Sequence, residues 1–397
     1  EANDFNLNSN KMKKLLLLLS IILTGFSLIA QEQKNEFTVI KKNPITSVKN
    51  QFQSSTCWSF SGNSFIESEI LRIGKGEFDL SEAFVVRHCM TDRAVNFVRL
   101  HGEGSFGPGG SFYDVLYTLK YYGAVPEEAM TGLVHGNKLF NHAELDLVVG
   151  AYVKAVANSK ARSLSPSWRE GLEGIENAYL GEYPEEFTYN GKKYTPMSFA
   201  KELGIEPDDY ISITSFTHYP FYTQFPIRVP DNWRNAMSYN LPLEEMMEVI
   251  DNAIMNGFTI AWGADVSENG FSRNGTATVP DYSSKNSIGS DQAHWLGISG
   301  KQKNDATDVP EKEITQEMRQ IDYDNWKTTD DHGMQMYGKA KDANGKIFWM
   351  IKNSWGADNK YEGTWYISDA FVRYKTMNFV VHKDAIPKNI RKKLGIK

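Results

Sequence analysis

Three stretches far apart in the chain carry side chains that could together break a peptide bond. The first is Gln51-Phe52-Gln53-Ser54-Ser55-Thr56-Cys57-Trp58, where an amide stands six residues ahead of a cysteine. Cysteine attacks as its thiolate, and the positive end of a helix lowers the pKa of a thiol placed there. Ser54, Ser55 and Thr56 are helix N-cap types, and Trp58, Phe65, Ile66, Ile70 and Ile73 recur at helical spacing up to Gly74. The pattern predicts Cys57 in the first turn of a buried helix, with its thiol pKa lowered. The Gln51 amide and the Cys57 N–H would then form a donor pair for the oxyanion that develops on an attacked carbonyl.

A nucleophile needs a base, and the base needs a group that holds its tautomer. Asp330-Asp331-His332-Gly333 places a histidine where a turn enters a strand, and Asn353 ends the run Phe348-Trp349-Met350-Ile351-Lys352 twenty-one residues later. Adjacent strands bring those two ends together, so Asn353 can fix one ring nitrogen while the other faces Cys57. Trp355 is placed to cover that bond. His294 also precedes an apolar run, but fifty-nine residues separate it from Asn353 and no adjacent strand carries an Asn partner. It reads as a structural residue or a cleft wall. Cys89 reads as a packing residue, and an inert buried thiol is the bland alternative for Cys57. The sequence has no His-Glu-x-x-His, no Cys-x-x-Cys and no Gly-Lys-Ser or Gly-Lys-Thr. No cofactor or metal is expected.

The elements that must position these residues are partly legible. A helix capped by Ser111 runs from Phe112 to Tyr122 and stops at Gly123, after the loop Gly107-Pro108-Gly109-Gly110. Residues 140–215 read as mixed helix and loop, with an Asn190-Gly191 hairpin turn. Leu243, Met246, Met247, Ile250 and Ile254 form one helical face ending at Gly257, and a strand follows over 258–262. A polar excursion covers 267–320. Short strands then read over 334–339, 347–352, 363–367 and 378–382, with a turn at 342–345. Helices early and strands late predict an α+β fold of two lobes with a cleft between them.

The chain has 397 residues, 41% of them hydrophobic, and a formal net charge of -6. That allows a full globular core and leaves no long basic stripe for nucleic acid. Residues 12–30 follow the basic, apolar, small-residue order of a secretory signal peptide, with a membrane anchor as the other reading, and 1–11 read as upstream sequence. Export to the periplasm or beyond is expected, with no stable membrane span after signal cleavage. The peptidase domain should cover 31–397. Within it, about 51–257 would be mainly helical lobe with an insertion, about 258–386 mainly β lobe, and 387–397 a solvated basic tail. Two cysteines allow at most one disulfide.

Gln-x5-Cys-Trp, Asp-His-Gly and Lys-Asn-Ser-Trp-Gly, in that order, resemble the papain-like cysteine peptidases. Leu80-Ser81-Glu82 and the paired Gly109 and Gly110 also match. The resemblance implies a helical lobe facing an antiparallel β-barrel-like lobe, with Gly109, Gly110 and Trp355 contacting peptide substrate. Ser54 stands where extracellular papains carry a disulfide cysteine, which leaves Cys89 without that partner. The absence of a long propeptide, the wide gap from Cys57 to His332, and Gly263-Ala264-Asp265-Val266 are similar to the bleomycin hydrolase and bacterial aminopeptidase C branch. That branch implies aminopeptidase action, a C-terminal arm reaching into the cleft, and a hexamer. The end of this chain, Arg391 to Lys397, has no recognisable counterpart of the arm. Papain-like endopeptidase action and an inactive peptide-binding homologue remain the alternatives.

Overall fold

The computed structural model describes residues 36–268, 270–281 and 310–397. His294 and the segment 12–30 lie outside the described residues. In chain order, β1 (Phe37–Lys42) is followed by α1 (Cys57–Arg72), α2 (Glu82–Arg99), α3 (Phe112–Tyr121), α4 (Ala143–Ala157) and α5 (Ser167–Leu180). The hairpin β2 (Phe187–Tyr189) and β3 (Lys192–Tyr194) leads to α6 (Pro196–Leu203). Next come β4 (Tyr210–Thr214), β5 (Gln224–Pro226), β6 (Met237–Asn240), α7 (Leu243–Met255), β7 (Ile260–Ala264), β8 (Phe271–Ser272) and β9 (Thr276–Ala277). The last part holds α8 (Gln316–Asp324), β10 (His332–Asp342), β11 (Ile347–Lys352), β12 (Thr364–Ser368), α9 (Asp369–Lys375), β13 (Thr376–His382) and α10 (Lys388–Leu394).

Helix α1 is the axis of the helical lobe. Every residue from Trp58 to Ile70 is buried, polar ones included, so it is a core helix rather than an amphipathic one. It packs with α2, α3 and α4 in one apolar cluster that includes Phe65, Ile70, Phe84, Cys89, Val115 and Val149. Gly74, at φ 77°, takes the left-handed conformation that ends the helix. Helix α3 carries the expected cap as a full capping box, with the Ser111 N–H donating to Asp114 Oδ2 at 2.8 Å.

The strands form one mixed sheet in the order β5-β6-β4-β13-β7-β10-β11-β12-β9-β8, with β1 also paired to β10. This corrects the barrel expectation: among the described residues the sheet is an open path, with parallel pairs at β4–β6 and β9–β12. Its edge strands are only two and three residues long, too short to close on one another. The long β10 pairs with β7 along its first half and with β1 along its second, while β11 runs down its other side. The Asp342 carboxylate accepts from the N–H groups of Asn344 and Lys346, and Gly345 sits at φ 83°, which closes the β10–β11 turn. The basic segment is not a solvated end, because α10 buries Ile390 and Leu394 in the core of the sheet lobe beside α7.

Candidate active site

The sheet and α1 meet at a cleft of about 680 Å³, lined by Gln51, Cys57, Gly109, Gly110, His332 and Trp355 among others. Of the residues assigned a catalytic or substrate-binding role from the sequence, all but the buried Asn353 therefore open on one space. Asn353 lies directly behind it.

Cys57 is the first residue of α1, partly exposed to the cleft. As the first helical amide, its N–H has no acceptor within the helix and is available to an oxyanion. β10 begins at His332, and the N–H of the next residue, Gly333, lies 3.4 Å from Cys57 Sγ. β10 and β11 pair antiparallel with Gln335 opposite Lys352, so Asn353, just past β11, arrives beside the histidine. His332 Nε2 donates to Asn353 Oδ1 at 2.8 Å, and the Ser354 N–H donates to the same oxygen at 2.8 Å. Nε2 is thus the protonated nitrogen and Nδ1 carries the lone pair. The Trp355 ring covers His332 with centroids 4.7 Å apart. Gln51 is buried, and its Oε1 accepts from the Ser354 hydroxyl at 2.6 Å, which leaves its NH₂ as the end free to donate.

Burial opposes the lowering of the thiol pKa expected at a helix start. Burial pushes Cys57 up to about 12, aided by the Asp330 and Asp231 carboxylates. A helix N-terminus contributes only about 0.3–1 kcal/mol, less than the cost of desolvating a thiolate at the cleft floor. Burial likewise lowers His332 to about 4, against the opposing hydrogen bond to Asn353. Both shifts favour the neutral forms of thiol and imidazole.

The loop at 107–110 is fixed from behind. Arg93 donates to the carbonyls of Ser105, Gly107, Gly109 and Pro230, and the Trp58 indole donates to Pro108 O at 3.1 Å. A Cβ on Gly110 would lie 2.8 Å from the Trp58 ring, and one on Gly109 would run into the Asp231 carboxylate. Both positions need glycine for close approach. The Gly109 carbonyl accepts from Arg93, and both glycines line the cleft. Cys89 is buried in the helical core and both cysteines are free. Sequence reasoning passed over Ser354, Asp330, Asp231 and Arg93. The first two stand inside or beside the quoted motifs, whereas Asp231 and Arg93 carry no pattern of their own.

Residues 178–396 match the Peptidase C1-like family. The chain belongs to that family. Its relatives include Aminopeptidase C of Streptococcus thermophilus, 24% identical over 404 residues that cover 89% of this chain and 84% of that protein. Aminopeptidase C of Lactococcus lactis subsp. cremoris is 23% identical over 396 residues, covering 88% and 83%. The crystal structure of PepW from Lactobacillus rhamnosis HN001 superposes with a TM-score of 0.66 at 18% identity, covering 90% of this chain and 84% of that one. This chain is a cysteine peptidase of the Peptidase C1-like family, papain-like in fold and similar to the aminopeptidase C branch. Among its described residues no helix is long and apolar enough to cross a membrane.

Proposed function

We propose that the chain removes amino-terminal residues from peptides, with Cys57 as nucleophile, His332 as base and acid, Asn353 as its orienter and Gln51 as oxyanion donor. The observation that carries this reading is the His332–Asn353 hydrogen bond of 2.8 Å on the same cleft as a cysteine that opens a helix. The proton of Sγ passes to His332 Nδ1, and Sγ adds to the carbonyl carbon. The Cys57 N–H and the Gln51 NH₂ hold the resulting oxyanion. Collapse returns the proton from His332 to the leaving amine, and a water activated by the same imidazole then hydrolyses the thioester. Gly110 and Trp355 line the path of the peptide on either side.

The test is hydrolysis of leucine 4-methylcoumarylamide against its N-acetylated form. The reading expects turnover of the free-amine substrate, its loss in Cys57→Ser, and poor cleavage of the acetylated one. Internal cleavage of a long N-blocked peptide at comparable efficiency would favour an endopeptidase, and no turnover of either substrate would favour a peptide-binding protein. The reading includes export, supported by the order of residues in 12–30. A mature N-terminus found within or upstream of residues 12–30 in secreted or periplasmic material would contradict signal cleavage.

A further inference from the structure

The wall of the cleft next to Cys57 carries carboxylates that the reaction above leaves without a task. Asp330 stands two residues before His332 and lines the cleft, as do Asp231 and Asp331. The described lining residues include three carboxyl groups and no Lys or Arg. Asp331 is used elsewhere, accepting from the Val266 N–H at 2.8 Å. Asp330 has no hydrogen bond or ion pair within the described residues. Only burial and the neighbouring carboxylates act on it, and they push it up to about 7. Asp231 packs on Gly109, with the Arg93 guanidinium 3.8 Å away and committed to four backbone carbonyls. Two like charges facing one space, one of them without a counter-charge, are stabilised by a cation placed between them.

The geometry points to the α-ammonium group of the substrate as that cation, bound by Asp330 and Asp231, so that these two residues set amino-terminal specificity. This rests on Cys57 being the nucleophile. In the residue whose carbonyl is attacked, the α-nitrogen is only two bonds from the carbonyl carbon, about 2.5 Å. A group that recognises a free amine must therefore sit near the thiol, and both carboxylates line the same cleft as Cys57, with Asp330 two residues before His332. No described residue beyond Val380 lines the cleft. The segment 388–394 is instead held in α10, with Lys393 2.7 Å from Glu245. Asp231 and Asp330, which the proposal assigns to the amine, lie in the loops before β6 and β10. It also couples binding to chemistry, because an ammonium that neutralises Asp330 removes a charge opposing thiolate formation.

The experiment compares kcat/KM on leucine 4-methylcoumarylamide, its N-acetylated form, and N-acetyl-arginyl-leucine 4-methylcoumarylamide, for wild type, Asp330→Asn and Asp231→Asn. For Asp330→Asn the expected result is a fall of about 10- to 1000-fold on the free-amine substrate, mainly in KM, with no fall on the acetylated one. Asp231→Asn should shift the ratio the same way by less, since Arg93 already offsets part of its charge. Alkylation of Cys57 by iodoacetamide should be faster in Asp330→Asn with the buried Cys89 still unlabelled, whereas a misfolded variant would label both cysteines. An unchanged ratio of free to acetylated substrate in Asp330→Asn overturns the proposal while leaving the peptidase reading intact. A wild type that prefers the acetyl-arginyl substrate, with the loss in Asp330→Asn falling there, also overturns it and assigns the carboxylates to a basic side chain. A wild type that turns over none of the three overturns the peptidase reading as well.

Discussion

Gln51 reaches the cleft with its carboxamide oriented by one neighbour, the Ser354 hydroxyl on Oε1. If its NH₂ is half of the oxyanion site, Gln51→Ala removes one of two donors that act mainly in the transition state. The expected outcome is a fall in kcat of about 100-fold with KM little changed. Steady-state kinetics on a free-amine coumarylamide checks this, and a loss confined to KM would assign Gln51 to ground-state binding instead. The residue types at Cys57, His332, Asn353 and Gln51 were legible because the chemistry restricts them to few side chains at motif spacing. The state of the thiol was not, since its pKa depends on burial and on Asp231 and Asp330, which only the folded chain brings near.

At the scale of elements, α4 offers a direct measurement of what burial costs a carboxylate. Asp146, in its first turn, is pushed up to about 6 by burial alone. The folded chain binds this proton more tightly than the unfolded chain, whose ordinary value is 3.8. The contribution is fully present below pH about 4 and is lost as pH rises through about 6. Asp146→Asn should therefore stabilise the protein at pH 7 by about 1–2 kcal/mol, allowing for the helix-dipole attraction it gives up, and by nothing near pH 4. Urea unfolding at the two pH values reads the difference, and equal effects at both would contradict it. Helices α1, α3 and α7 and strands β10 to β13 were legible because caps, glycine stops and short β-branched runs mark them. The Asn190-Gly191 hairpin was too, with both residues at positive φ. Helix α2 was not marked out beyond Ser81 and Glu82. Its residues include Arg87, His88, Arg93 and Asn96, and buried Arg87 and Arg93 blur its apolar face. Strands β1, β4 and β6 join the sheet from distant parts of the chain, and no local pattern announces such pairings.

Across the whole molecule, the proposed nucleophile belongs to a helix and its proposed base to a strand, so on that reading the junction between the two sets the reaction geometry. Gln335 of β10 ties that junction. Its Oε1 accepts from Ser64 Oγ at 2.6 Å, and its Nε2 donates to Ser68 Oγ at 2.7 Å and to Thr259 Oγ1 at 3.2 Å. The residue is fully buried, and Lys352 adds a donor to Ser64 Oγ at 2.6 Å. Gln335→Leu should cost about 2–4 kcal/mol, because it strands buried hydroxyls, and should lower kcat in the fraction that stays folded. A melting temperature and kcat both equal to wild type would show that the junction does not depend on this side chain. The claim on which the rest stands is that Cys57 and His332 work as a pair, and it is tested most directly by thiol labelling with an epoxide or iodoacetamide, mapped by mass spectrometry. The account predicts one label per chain, on Cys57 and not on Cys89, with activity lost in proportion and labelling slowed severalfold or more in His332→Ala. Equal, slow labelling of both cysteines, unaffected by His332→Ala, would contradict it.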